Sequence, residues 1–413
     1  MIERSGKYDT RNFIINASEG ALFMMGSSMI SSSTVLPALV RRLGGNNIAV
    51  GLLSILVWFG LFLPQIFASR YALHQQWKKP GAIRLGFIQR MVLPCIIFVL
   101  LFSGSGLPQI ALVLFFFFIF LYHVCTGVAT PIWYDMYAKL TPVGLRGRLS
   151  GIRTFIASIG SLLAAFALTW ILTQFPFPLN FALIFLGTFI LQYTSILLQF
   201  FLIEESPSPA AAPLSFPDFF HQLKTVFRTN RKLRKFIAAT SVCTLATMPL
   251  GFFTIYGLNT YRADEGIVGE FTIIMIIGQG LGAIINGHIA DRRGNKAALI
   301  AAAGGMLAAS TTALLAPTLF YYKFIFLFLG MNLGSELITR QNLVLEYSPA
   351  NQRSMYVGLM NSLLAPLYFV GIIGGWIAEY FGYTTLFLIG IILSVLGMIL
   401  ITVLVVEPRH QKA

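Results

Sequence analysis

Twelve stretches of this chain are each long and apolar enough to cross a lipid bilayer, and no other feature limits the fold as tightly. They fall at about 12–39, 47–69, 81–103, 107–137, 149–174, 178–202, 235–258, 267–289, 297–317, 319–345, 354–380 and 383–406. A membrane-crossing helix needs about 20 predominantly apolar residues. The runs do not alternate as the strands of a transmembrane barrel do. Composition agrees: 56% of the 413 residues are hydrophobic and 11% are charged, with a mean hydropathy of +0.77. Soluble domains carry about 25% charged residues. The expectation is an all-α, multi-pass membrane protein with twelve transmembrane helices.

The formal net charge of +14 need not mean a nucleic-acid partner. With the N-terminus placed inside and the spans alternating, Arg41, Arg42, Arg262 and Lys323 fall outside. Arg90 and Arg340 lie well within spans, and the remaining Lys and Arg sit in or at the edge of inside segments. This is the positive-inside pattern, so the basic balance records orientation. Both termini are expected in the cytoplasm, and the short loops suit a bacterial inner membrane. The first run has no small-residue cleavage site after a short core, so no cleavable signal is expected. Cys95, Cys125 and Cys243 fall inside spans without metal-ligand spacing. No phosphate-binding loop or nucleophile–base set occurs, so neither a cofactor, a metal nor enzymatic work is expected.

The longest break in hydrophobicity, at 204–234, divides the chain into segments 1–203 and 235–413. It opens on "EESPSPAAAP". It continues with Phe219, Leu223 and Phe227 at four-residue spacing and Lys224 and Arg228 on other faces, which predicts a short amphipathic helix on the cytoplasmic headgroups. The flanking segments hold six spans each and resemble one another. At a constant offset of 207, Gly127 meets Gly334, Pro142 meets Pro349, Arg146 meets Arg353 and Gly151 meets Gly358. At an offset of 218, Ala72 meets Ala290 and Lys78 meets Lys296. Duplicated six-helix halves are an architecture of secondary transporters, with substrate near the midplane and transport by rocking of the halves.

Between spans eight and nine the chain reads "GHIADRRGNKAAL". Four charges crowd between two uncharged runs. Gly287, Asp291, Arg292, Gly294 and Lys296 fit the signature turn of the major facilitator superfamily, with Ala297 in place of its last basic residue. With the twelve spans, the central linker and the repeat, the resemblance covers the whole chain. It implies two pseudo-symmetric six-helix bundles and a gate in which Asp291 faces the start of span five, near Arg148 and Ser150. Arg146, Arg353 and Asp135 belong to the same cytoplasmic gate. Gly287 is expected to let helices approach closely, and Gly294 to take the positive φ of a tight turn. In the first half Leu73 stands at the aspartate position and Gln76 at the second glycine, so the two gates are expected to be unequal.

Spans one, four, seven and ten line the central cavity in this family, so ionisable residues there become candidates for substrate or proton binding. Such residues cost about 2.5–3.5 kcal/mol on insertion scales. Asn16 and Glu19 make a polar cluster early in span one. His123 lies near the middle of span four, with an intrinsic pKa of about 6.5, and Pro131, Trp133 and Tyr134 follow it. Asn332, Glu336 and Arg340 share one face of span ten, with Glu336 and Arg340 four apart in the favourable order. Arg90 in span three is expected to serve structure, by snorkelling or by pairing with Asp135. Glu270 and Glu379 lie near the outer ends, where solvent would reach them.

The reading is a monomeric secondary active transporter that moves a small organic solute by alternating access. Glu19, His123 and Glu336 offer a route to proton coupling. A lipid or amphiphile carrier, a drug exporter of the same fold and a non-transporting membrane sensor are the competing readings. Span five lacks the glycine–proline signature of drug/proton antiporters.

Overall fold

The computed structural model describes residues 9–142, 145–208, 216–349 and 353–407. It is all helical among them. The N-terminal six runs form α1 (Asp9–Met29) with α2 (Val35–Arg42); α3 (Asn47–Ser54), a π turn (Ile55–Phe59) and α4 (Gly60–His74); α5 (Lys78–Ser103); α6 (Pro108–Leu140); α7 (Arg146–Gln174); and α8 (Leu179–Gln199). The linker holds α9 (Phe216–Thr229), which buries Leu223 and Val226 and exposes Lys224 and Arg228. The side chain of Phe219 lies outside the described residues. The next six runs form α10 (Arg231–Ala246) with α11 (Phe252–Tyr261); α12 (Gly266–Arg293); α13 (Asn295–Leu315); α14 (Leu319–Tyr322) with α15 (Phe324–Tyr347); α16 (Arg353–Leu364), a 3-10 turn (Ala365–Phe369) and α17 (Val370–Tyr380); and α18 (Gly382–Leu404).

Nine of these helical runs are long and apolar enough to cross a membrane among the described residues. The other three expected spans depart for identifiable reasons. The first breaks between α1 and α2, where three consecutive serines at 31–33 compete for backbone hydrogen bonds. Pro37 has no N–H to give the Ser33 carbonyl, and Thr254 Oγ1 donates to it instead at 2.7 Å. The seventh breaks at Pro249, which likewise leaves the Leu245 carbonyl to Met248 N at 3.1 Å. The tenth is an unbroken helix whose hydropathy is lowered by Asn332, Glu336, Arg340 and Gln341.

By contact the chain forms two units. One comprises Met1–Ser31 and Gly60–Pro213, the other Ser32–Phe59 and Leu214–Ala413. In the first, α1 packs on α7 and α8, and α6 packs on α4 and α5. In the second, α15 packs on α12 and α13, α18 on α10 and α13, and α17 on α3. The repeat recurs as packing. Gly127 presses on the Leu61 backbone, and its repeat partner Gly334 presses on that of Gln279, with no room for a Cβ at either. The segment 32–59 belongs to the second unit through similar approaches. Gly371 lies on Gly51, Gly375 on Asn47 and Ile48, and Trp58 stacks on Tyr368 at 5.6 Å.

Candidate functional sites

In the second unit, the face of α15 carries the expected pair. Glu336 Oε1 accepts from the Arg340 guanidinium at 3.1 Å. Arg340 is fully buried with its Nε unpartnered, and Glu336 retains 17% of its side-chain exposure. Asn332 donates to the Ala302 carbonyl at 2.9 Å and leaves Oδ1 unpartnered. Asn332 and Glu336 line a cavity of about 10 Å³ with Cys243, Thr247, Met306 and Ser394. That is about the space one water molecule needs. Glu336 thus has a cation on one side and room for a water on the other.

In the first unit, Glu19 is 2% exposed and faces the interior of its own bundle. Its Oε1 accepts from Gln199 at 2.8 Å and Ser195 at 3.3 Å, while Oε2 is unpartnered. Asn16, one turn earlier, is fully buried with both amide atoms unpartnered. Arg90 turns into this network rather than toward Asp135. It donates to the Gln192 carbonyl at 2.5 Å, to Gln89 Oε1 at 3.0 Å and to Ser195 Oγ at 3.2 Å, so one hydroxyl bridges Arg90 and Glu19. Tyr122, Thr126 and Ser27 extend the network. Sequence reading missed Ser195 and Gln199, because uncharged polar residues on a sixth span raised no flag. His123 is not part of the network. Its ring lies edge-on to Tyr122 at 5.2 Å, without a hydrogen bond or ion pair among the described residues.

The signature turn adopts the expected backbone at Gly294, where φ is +89°. A Cβ there would also fall on the Glu407 carboxylate. Gly287 departs from expectation. A Cβ at 287 meets open space, and the close approach of α12 to α15 is made by Gly278 and Gly282 instead. Asp291, Arg292 and Arg148 are exposed. Asp135 pairs with Lys78 at 3.3 Å, whereas Arg146 donates to the Ala138 and Thr141 carbonyls. The side chains of Arg353 and Leu73 lie outside the described residues.

Two carboxylates that drew no attention in the sequence cap helix starts here. Glu204 accepts from Lys78 N at 2.8 Å, Lys79 N at 2.9 Å and Lys139 Nζ at 2.6 Å. Glu407 accepts from Lys296 N at 2.8 Å. An anion at a helix N-terminus satisfies orphan N–H groups and meets the positive end of the helix dipole. Beside Glu407, burial and then the carboxylates of Glu407 and Glu346 push the Tyr347 hydroxyl above its ordinary pKa. It remains a donor, to the Val406 carbonyl at 2.6 Å. Glu270 and Glu379 are also engaged. Glu270 pairs with Lys323 at 2.5 Å, and Glu379 accepts from Asn47 N at 3.2 Å.

A buried cation nitrogen in the first unit lacks such company. Arg153, on α7, lies 4.5 Å over the Trp133 ring and has a buried, unpartnered Nε. A cation–π contact contributes about 0.5–2 kcal/mol.

The sequence profile of the Major Facilitator Superfamily matches residues 20–371 and 258–413. A niacin transporter of Acinetobacter baylyi is 29% identical over 123 residues, 30% of this chain and 28% of the relative. A cis,cis-muconate transport protein of the same organism is 26% identical over 161 residues, 37% of this chain and 38% of the relative. The matched stretches therefore span well under half of each relative. Among solved structures, a D-xylose–proton symporter superposes with a TM-score of 0.72 at 15% identity, over 98% of this chain and 99% of that one. At that identity the likeness shows the fold alone.

Proposed function

The chain belongs to the major facilitator superfamily and is an integral, multi-pass membrane transporter, and on that premise we propose that it moves a small organic acid by proton-coupled alternating access. The observation that carries the coupling is Glu336, a carboxylate held against Arg340 with room for one water on its other side. Protonating Glu336 removes the carboxylate charge opposite the fully buried Arg340, leaving it the neutral Tyr368 hydroxyl, and breaking a buried ion pair on one side is costly. The two states of such a pair differ enough to bias a conformational equilibrium. Glu19, bridged to Arg90 through Ser195, is a second proton site in the other unit. The substrate class rests on the relatives, whose named cargoes, niacin and cis,cis-muconate, are both small unsaturated carboxylic acids. The cytoplasmic gate is assigned to the signature turn, with Asp291 as its anion, in a bacterial inner membrane with both termini cytoplasmic.

Reconstituted protein tests this reading. Uptake of labelled nicotinate and cis,cis-muconate into proteoliposomes is expected to accelerate under an imposed proton gradient. Glu336→Gln should abolish that acceleration while exchange of substrate for substrate persists. Transport of these acids at the same rate with and without the gradient would sink the coupling. Failure to carry any organic acid would sink the substrate class.

A further inference from the structure

Arg153 differs from Arg90 and Arg340, the two buried arginines deep in the spans. Arg90 donates to two carbonyls, a glutamine and a serine, and Arg340 has Glu336. Arg153 has no hydrogen bond or ion pair among the described residues, and its Nε atom is buried. It begins about 10 Å from the start of α7, seven residues in at a rise of about 1.5 Å each. Solvent still reaches part of its side chain.

Its surroundings are aromatic. The guanidinium sits over the Trp133 indole, which stacks on Tyr137 at 5.3 Å with 27° between the planes. Tyr134 closes on the indole edge-on at 5.1 Å. Space for the guanidinium exists because residue 20 is glycine, where a Cβ would overlap the Arg153 side chain. A guanidinium whose fork is free of other acceptors matches a carboxylate bidentately. The exposed Tyr134 ring beside them offers stacking area to a conjugated acid.

We propose that Arg153 and Trp133 form the anion-recognition subsite of the transporter, taking the carboxylate of a small planar or unsaturated acid. This rests on the organic-acid reading above and deepens it. Arg153 supplies the charge and the fork, Trp133 holds the guanidinium in place, Tyr134 offers a face to the plane of the guest, and Gly20 makes room for the Arg153 side chain.

Calorimetric titration of the full-length, detergent-purified protein tests it, with nicotinate as the probe and nicotinamide as its uncharged counterpart. Wild type should bind nicotinate at least tenfold more tightly than nicotinamide. Arg153→Ala should weaken nicotinate at least tenfold and leave nicotinamide within twofold. Arg153→Lys keeps the charge, loses the fork and should fall between; it also serves if the alanine variant does not fold. Tyr134→Leu should weaken both ligands, since stacking does not depend on the charge. Nicotinate binding unchanged in Arg153→Ala or Arg153→Lys, or equal wild-type affinity for acid and amide, overturns the subsite and leaves the organic-acid reading standing. A wild-type protein that binds neither nicotinate, benzoate nor cis,cis-muconate overturns both.

Discussion

The helix-start collars of the two units share one device and differ in the charges around it. In the first unit Glu204 uses both oxygens, capping Lys78 N and Lys79 N, and also pairs with Lys139. In the second, Glu407 caps Lys296 N with one oxygen, and the other is buried without a partner. The position that repeats Lys139 at the offset of 207 is Glu346, so a lysine is replaced by a second acid. Asn295 Nδ2 donates to Glu346 at 2.9 Å. The half whose signature turn is degraded, with Leu73 and Gln76, therefore has the better-satisfied collar. The geometry of the cap outlasts its electrostatics, because a backbone N–H has the same needs in both halves while the surrounding charges are free to drift.

The comparison can be broken most directly at Glu204. Glu204→Ala removes two backbone caps and leaves Lys139 without its 2.6 Å partner, so a loss of about 3 kcal/mol is expected. Thermal unfolding in detergent should show a clear drop, and a shift no larger than that of Glu407→Ala would erase the distinction between the collars. Gly294→Ala should come next. It places a side chain at φ +89° and on the Glu407 carboxylate, and conformations of that kind cost about 1–3 kcal/mol. Adding Glu407→Ala should return part of the loss. Full additivity of the two changes would show that backbone strain alone is at work. The smallest effect sharpens the contrast. Glu346→Lys restores the charge that the first unit carries at Lys139 and should stabilise by under about 1 kcal/mol, whereas destabilisation would mean that the Asn295 contact matters more than charge balance. As a reference, Gly287→Ala should be silent in the same assay, since its Cβ meets open space.

Much of this was legible in the chain. Hydropathy fixes the spans because lipid leaves the backbone no alternative to helices. The Glu336–Arg340 pair followed from four-residue spacing, which is local geometry. Gly294 followed from a turn motif. What escaped is long-range. Glu204 read as the start of a linker and Glu407 as part of a tail, because a capping acid has no sequence signature when its helix is more than a hundred residues away. Glu19 was expected on a cavity helix and instead faces Ser195 and Gln199 on α8; the side of a helix that turns inward depends on neighbours that periodicity in an all-apolar span does not identify. Arg153 was hidden among the basic residues at the start of the fifth span, where positive charge is ordinary.

The caps also order events in time during synthesis. Lys78 and Glu204 are 126 residues apart, and Lys296 and Glu407 are 111 apart. A ribosome supplies about 5–20 residues per second. The start of α5 therefore spends several seconds as an inserted but unclosed helix, until the last span of its bundle leaves the tunnel, and α13 repeats the wait. In each unit a carboxylate far along the chain satisfies the N–H groups at a helix start that entered the membrane long before it.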